Sequence, residues 1–300
     1  MFKPHGIVPA LVTPLTADGE LLEDGLKDLI DHVIAGGVQG VFVLGSSGEI
    51  YGLSQRQKQR VVELTVEHVA GRTPIYAGAS EITTRDCVQT AQMVARIGGV
   101  AALSVLTPYF MTPTQPELIQ HYRTIAAATD LPVVLYSNPG RTQVRLALPT
   151  VLELAQVDNI VGIKDSGGDL SLTSEYICQT ADDFAVLMGR DTLIYAALAH
   201  GADGAIASTG NIVPRLLVDL YQAYRAGRTD LALALQRRLT PLRDLVDVAT
   251  FPVVLKEGLR LVGVEAGHCF APARDLDFDS RRRLSQVIAE LNGPTTGPAQ

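Results

Sequence analysis

Short apolar runs, each about a strand in length, alternate along the chain with longer amphipathic stretches. The runs are GIVPALVTP (6–14), GVFVLGSSGE (40–49), PIYAGAS (74–80), ALSVLTPYF (102–110), PVVLYSNP (132–139), IVGIKDS (160–166), FAVLMG (184–189) and GAIAST (204–209). Most read as strands buried on both faces, the pattern of a parallel sheet covered by helices. Between them, LLEDGLKDLIDHVIAGG (21–37) and LSQRQKQRVVELTVEHVAG (53–71) read as helices, the second opening on Ser54 as N-cap and closing at Gly71. Eight strands alternating with helices predict an α/β fold, and eight is the number that closes a (β/α)8 TIM barrel. An open doubly wound sheet is the runner-up, weakened because no GxGxxG follows the first strand. From about Pro214 to Leu291 the pattern is helical throughout, more than an eighth barrel helix needs, so two extra helices are expected outside the barrel. The expected division is a barrel over 1–225, a helical extension over 226–292 and a disordered tail over 293–300.

Composition narrows the class. The chain has 300 residues, 47% hydrophobic and 19% charged, ample for a large core. Its net charge is −7, and RRR at 281–283 is the densest basic cluster, so neither nucleic acid nor an acidic membrane surface is an expected partner. Cys87, Cys178 and Cys269 are few and far apart, with neither a zinc spacing nor a disulfide framework. The six histidines lack the i, i+4 spacing of a helical metal pair, so no metal is expected. No apolar run approaches membrane-spanning length, and MFKPHGIVPALVTP does not read as a secretory signal. A reducing cytoplasm is the simplest expected location.

In a (β/α)8 barrel the chemistry belongs at the C-terminal ends of the strands. Polar residues at those ends include Thr13, Ser46, Ser47, Glu49, Ser80, Tyr109, Tyr136, Asn138, Lys164, Asp165, Arg190, Asp191 and Ser208. Of five lysines, only Lys164 sits where a strand would aim it into the barrel mouth. Burial in an apolar barrel disfavours an ammonium and so favours the neutral amine that attacks a ketone. Lys164 could instead be the first solvated residue past a strand. Tyr136, ending the neighbouring strand, could carry protons, or could be a core tyrosine with a backbone partner. GSSGE (45–49) offers backbone N–H groups and two hydroxyls in a tight turn that can hold a carboxylate; Glu49 either caps the next helix or orders the loop.

Taken together and in order, GSSGE (45–49), YSNPGRT (136–142), GIKDSGGD (162–169) and GADGAIASTGN (201–211) make the chain resemble the dihydrodipicolinate synthase and N-acetylneuraminate lyase family over nearly its whole length. The resemblance implies a (β/α)8 barrel with a C-terminal helical extension. It also implies a homotetramer or dimer of dimers, and a lysine imine with pyruvate that needs no metal or organic cofactor. It makes Lys164 the imine-forming lysine, Tyr136 the proton-transfer tyrosine, and Ser46 and Ser47 the hydroxyl pair at the pyruvate carboxylate. Arg141 resembles the arginine by which synthases hold the aldehyde's carboxylate, whereas Asp191 and Ser208 match positions by which sialic acid lyases hold sugar hydroxyls. Gly48, Gly189, Arg190, Ile206, Tyr109 and Phe110 complete the candidate substrate-binding set.

The chain departs from the family pattern in three places. Phe110 stands where many members have a second tyrosine reaching a neighbouring subunit's site, and phenylalanine cannot pass a proton. Ser46 and Ser47 stand where synthases usually carry two threonines. Ile50 and Tyr51 occupy positions that bind feedback lysine in some synthases, so lysine inhibition is not expected. Arg141 together with Asp191, Ser208 and the additional Arg190 suggests a hydroxylated, acidic second substrate, which favours a pyruvate lyase or aldolase acting through a 2-keto-3-deoxy sugar acid. The alternative is a 4-hydroxy-tetrahydrodipicolinate (dihydrodipicolinate) synthase condensing pyruvate with aspartate semialdehyde. A keto-acid dehydratase or deaminase, and a keto-acid-binding paralogue without turnover, are the further readings.

Overall fold

The computed structural model describes residues 2–292; the expected tail over 293–300 lies outside them. Eight strands are laid down in chain order: β1 (Gly6–Pro9), β2 (Val41–Val43), β3 (Ile75–Gly78), β4 (Ala102–Leu106), β5 (Val133–Ser137), β6 (Ile160–Asp165), β7 (Ala185–Met188) and β8 (Gly204–Ala207). Every paired neighbour is parallel, from β2 through β8 and on to β1. The remaining seam, between β1 and β2, is closed by a parallel bridge of Ala10 with Phe42 and by the Leu11 N–H donating to the Phe42 carbonyl at 2.8 Å. The result is a (β/α)8 TIM barrel.

Strand alternation sorts the side chains into two cores. Val8, Ala10, Phe42, Tyr76, Ala102, Val134, Val161, Leu187 and Ile206 fill the barrel interior, and a larger layer packs between strands and helices. Burial on both faces is what the continuous apolar runs demand. The helix Gln55–Val69 starts with a capping box in which Ser54 and Gln57 bond reciprocally. Its end comes one residue before the expected glycine: Ala70 is the left-handed cap at φ 47° and Gly71 follows at φ 76°.

The eighth barrel helix is Pro214–Arg225. Beyond it, among the described residues, lie three α-helices rather than the expected two: Thr229–Leu245, Val253–Leu261 and Phe278–Asn292. The helical pattern hid breaks that proline and glycine supply. Pro252 opens the second helix, and Gly263, left-handed at φ 87°, follows its end. After this helix the chain returns to the barrel mouth, where Gly267 bridges Leu15 and the His268 N–H donates to the Leu15 carbonyl at 2.7 Å. No helix among the described residues is long and apolar enough to cross a membrane.

Candidate active site

A cavity of about 240 Å³ opens at the C-terminal ends of the strands. Lys164 reaches it because β6 alternates. Ile163 faces the outer core, Lys164 turns inward, and Asp165 turns outward to accept from Thr173 Oγ1 at 2.6 Å and the Gly167 N–H at 2.9 Å. Burial pushes the Asp165 carboxyl up, against those hydrogen bonds. Lys164 is only 4% exposed, and its Nζ lies 4.1 Å from the Tyr136 ring centroid and 5.1 Å from that of Phe42. Lys164 and Tyr136 are register partners on β6 and β5, which puts amine and phenol on the same layer of the barrel.

The Tyr136 hydroxyl accepts from Asn138 Nδ2 at 3.0 Å. Burial alone would raise this phenol; the Lys164 charge and hydrogen bonding from Asn138, Ser46 and Ser166 outweigh it and hold the phenol below its ordinary value. An acid more ready to ionise is better matched to shuttling protons near neutral pH.

The GSSGE loop leaves β2 through a bend that few sequences could make. Leu44 is left-handed at φ 58°, and a Cβ on Gly78 would lie 1.8 Å from the Leu44 carbonyl oxygen, so only glycine there lets β2 cross so closely over β3. Ser46 and Ser47 then line the cavity, while the Gly48 carbonyl turns away and accepts from Thr13 Oγ1 at 2.7 Å. On the opposite wall a Cβ on Gly189 would sit 2.0 Å from Ser166 Oγ and 3.0 Å from the Asp165 carbonyl, so a larger residue there would have to displace the serine hydroxyl.

Of the residues singled out in the sequence, Ser46, Ser47, Tyr136, Arg141, Lys164, Gly189, Arg190, Ile206 and Ser208 line this one cavity. Asp191 does not. Its carboxylate accepts from the backbone N–H and hydroxyl of Ser208 (3.2 and 3.1 Å) and from those of Thr209 (2.7 and 2.6 Å). The side chain that the resemblance assigned to sugar hydroxyls is taken up in tying the β8 exit loop. Asp191→Ala is therefore expected to lower stability by about 2–4 kcal/mol, since it strands several buried donors. Urea unfolding checks this; a loss below about 1 kcal/mol would show that those donors find water instead.

Tyr109 and Phe110 also lie off the cavity. Tyr109 is half-buried, and burial, with Glu81 and Cys87 nearby, pushes its phenol up to about 12. Phe110 is 95% exposed and left-handed at φ 70°. Asn138, named in the sequence as a strand-end polar residue, also lines the cavity; lining residues not singled out there include Ser166, Arg243, Asp247 and Phe251. Ser166 was within reach of a period-two reading, since it follows Lys164 by two as Asn138 follows Tyr136. The last three belong to the helical extension or its connecting segment, and no local pattern announces which of its faces meets the barrel mouth. There Arg243 pairs with Asp247 at 2.9 Å, and Phe251 receives the Arg141 guanidinium on its ring face, 4.2 Å from the centroid. Among the described residues no group of three or more His, Cys, Asp or Glu side chains is placed to hold a metal ion.

A family model described as the dihydrodipicolinate synthetase family matches residues 3–291. The chain belongs to this family. It is 35% identical over 292 residues to the 4-hydroxy-tetrahydrodipicolinate synthase of Methanopyrus kandleri, covering 97% of each chain. Among solved structures, dihydrodipicolinate synthase DapA-2 from Bacillus anthracis superposes with a TM-score of 0.93 at 32% identity, covering 96% of this chain and 99% of that one. YagE from E. coli K12, a prophage protein of the same family in complex with pyruvate, superposes with a TM-score of 0.92 at 31% identity, covering 96% and 98%. Members of the dihydrodipicolinate synthase family are lyases, and this protein is a lyase with them.

Proposed function

We propose that the protein condenses pyruvate, held as an imine on Lys164, with an aldehyde that carries a carboxylate, and that aspartate semialdehyde is that aldehyde. This is the activity of a 4-hydroxy-tetrahydrodipicolinate synthase, the name borne by relatives at 35% and 34% identity. The reading replaces the sugar-acid preference drawn from sequence. The observation that carries it is Arg141, a guanidinium braced on the Phe251 ring in the same cavity as Lys164, where a second carboxylate needs a cation. The occupied carboxylate of Asp191 takes away the main support for a polyhydroxylated partner.

In this reading the Lys164 amine attacks the pyruvate ketone, and Tyr136 supplies and collects the protons as water leaves. Ser46 and Ser47 hold the pyruvate carboxylate. The imine draws electrons from the methyl carbon, which loses a proton and, as the enamine carbon, adds to the aldehyde. The α-amine of the second substrate then displaces Lys164 from the imine carbon, which closes the ring and frees the enzyme. The outward placement of Phe110 is consistent with a position that serves a neighbouring subunit in an oligomer.

Sugar-acid cleavage remains the second reading, favoured by Ser208 and the additional Arg190 on the cavity wall. Borohydride reduction in the presence of pyruvate is expected to leave a pyruvyl adduct on the peptide holding Lys164. Aspartate semialdehyde is then expected to exceed any sugar-derived aldehyde in kcat/KM by about a hundredfold, or roughly 2.7 kcal/mol. A sugar-acid aldehyde as the better partner would reverse the choice, and no adduct at saturating pyruvate would end both readings.

A further inference from the structure

Glu49, the last residue of GSSGE, is buried at 1% exposure, yet it is left-handed at φ 53° with a side chain aimed away from the cavity. Its Oε1 meets Lys256 Nζ at 2.7 Å, each side chain 1% exposed, and its Oε2 accepts from the Phe270 N–H at 2.9 Å. Lys256 also donates to the His268 carbonyl. The ammonium comes from the extension helix Val253–Leu261, and both backbone partners, His268 and Phe270, come from the segment that follows it. The Phe270 ring covers the far side of the loop so closely that a Cβ on Gly52 would lie 2.4 Å from it.

A carboxylate and an ammonium this deep carry a desolvation cost that packed apolar side chains would avoid. The non-glycine left-handed residues Leu44 and Glu49 bracket the two serines, and such backbone persists only where its surroundings hold it. We infer that Glu49 and Lys256 are positioning residues through which the C-terminal extension fixes the serine pair at the pyruvate carboxylate. Neither touches substrate. On one side Thr13 holds the Gly48 carbonyl; on the other the extension holds Glu49, and Ser46 and Ser47 are carried between these two anchors. The inference rests on the reading that this loop receives pyruvate.

Three variants test it: Glu49→Gln, Lys256→Met and the two combined, each examined in the full chain for thermal midpoint, pyruvate KM and kcat. Lys256→Met leaves the carboxylate buried without its cation and is expected to lower the midpoint and raise the pyruvate KM about tenfold or more. The double variant removes both charges at nearly constant volume. It is expected to regain the midpoint while its pyruvate KM stays raised about tenfold, with kcat at saturating pyruvate changed by less than about threefold. A purely structural pair would give a double variant whose midpoint and pyruvate KM both return to the wild-type values, and that result overturns the inference. Should neither variant of Lys256 fold, Glu49→Gln, which keeps an acceptor for the Phe270 N–H, decides by the same KM criterion. Wild-type protein that forms no imine with pyruvate overturns the underlying reading. Wild-type protein that does so, with variants of unchanged pyruvate KM, overturns this inference alone.

Discussion

Lys164→Met is expected to abolish turnover, by about 10⁴-fold or more, without unfolding the protein. Methionine has nearly the reach of lysine and offers no amine, so no imine can form and the borohydride adduct is lost with the activity. The fold should tolerate the change. Lys164 is nearly enclosed in the barrel mouth, facing the Tyr136 and Phe42 rings, and an uncharged, polarisable side chain loses little there. The thermal midpoint should therefore hold or rise while activity vanishes. That dissociation separates a chemical lysine from a structural one. Activity within tenfold of wild type would sink the imine mechanism whatever the stability does.

Tyr136→Phe is the second large effect. It deletes one oxygen, keeps the ring under Lys164, and leaves Asn138 Nδ2 without its acceptor. Proton transfer by a placed side chain contributes roughly 10²–10⁴-fold, so kcat should fall within that range while stability drops by only about 1 kcal/mol. Slowed exchange of the pyruvate methyl protons with deuterated solvent, followed by NMR, would locate the loss in proton transfer. The imine should still be trappable after longer incubation, since the amine is intact. A fall of less than about threefold in both exchange and kcat would mean that water or a serine carries the relay around the phenol.

How far the sequence spoke for itself depended on whether the information was local. Strand positions were legible because burial on both faces writes itself as unbroken apolar runs, and the count of eight then implied closure. Lys164 and Tyr136 were legible because a lysine at a strand end inside an apolar run has few other uses, and because the order of four motifs matched a family. Asp191 was placed by motif alone, and spacing reveals a residue's place in a motif but not which donors surround it; its carboxylate is met by Ser208 and Thr209 from the next strand's exit. Arg243, Asp247 and Phe251 were invisible for a different reason. They reach the cavity from chain that follows all eight strands, and the docking of that chain on the mouth is a tertiary fact with no periodic trace. Glu49 was read as ordering its loop or capping a helix; it caps nothing with its side chain, and the lysine from the extension that it binds could not be named from sequence.

The bond between Glu49 and Lys256 also has a meaning in time. Synthesis at about 5–20 residues per second separates the two side chains by roughly 10–40 s. Through that interval the loop bearing Ser46 and Ser47 has been made, but its carboxylate has no cation to meet. The eight barrel strands can pair before the extension emerges, since the last of them, β8, ends at Ala207. A nascent barrel can thus close around Lys164 and still present an unsettled mouth. The step that completes the site during biosynthesis is then the arrival of a helix that contributes nothing to the barrel wall.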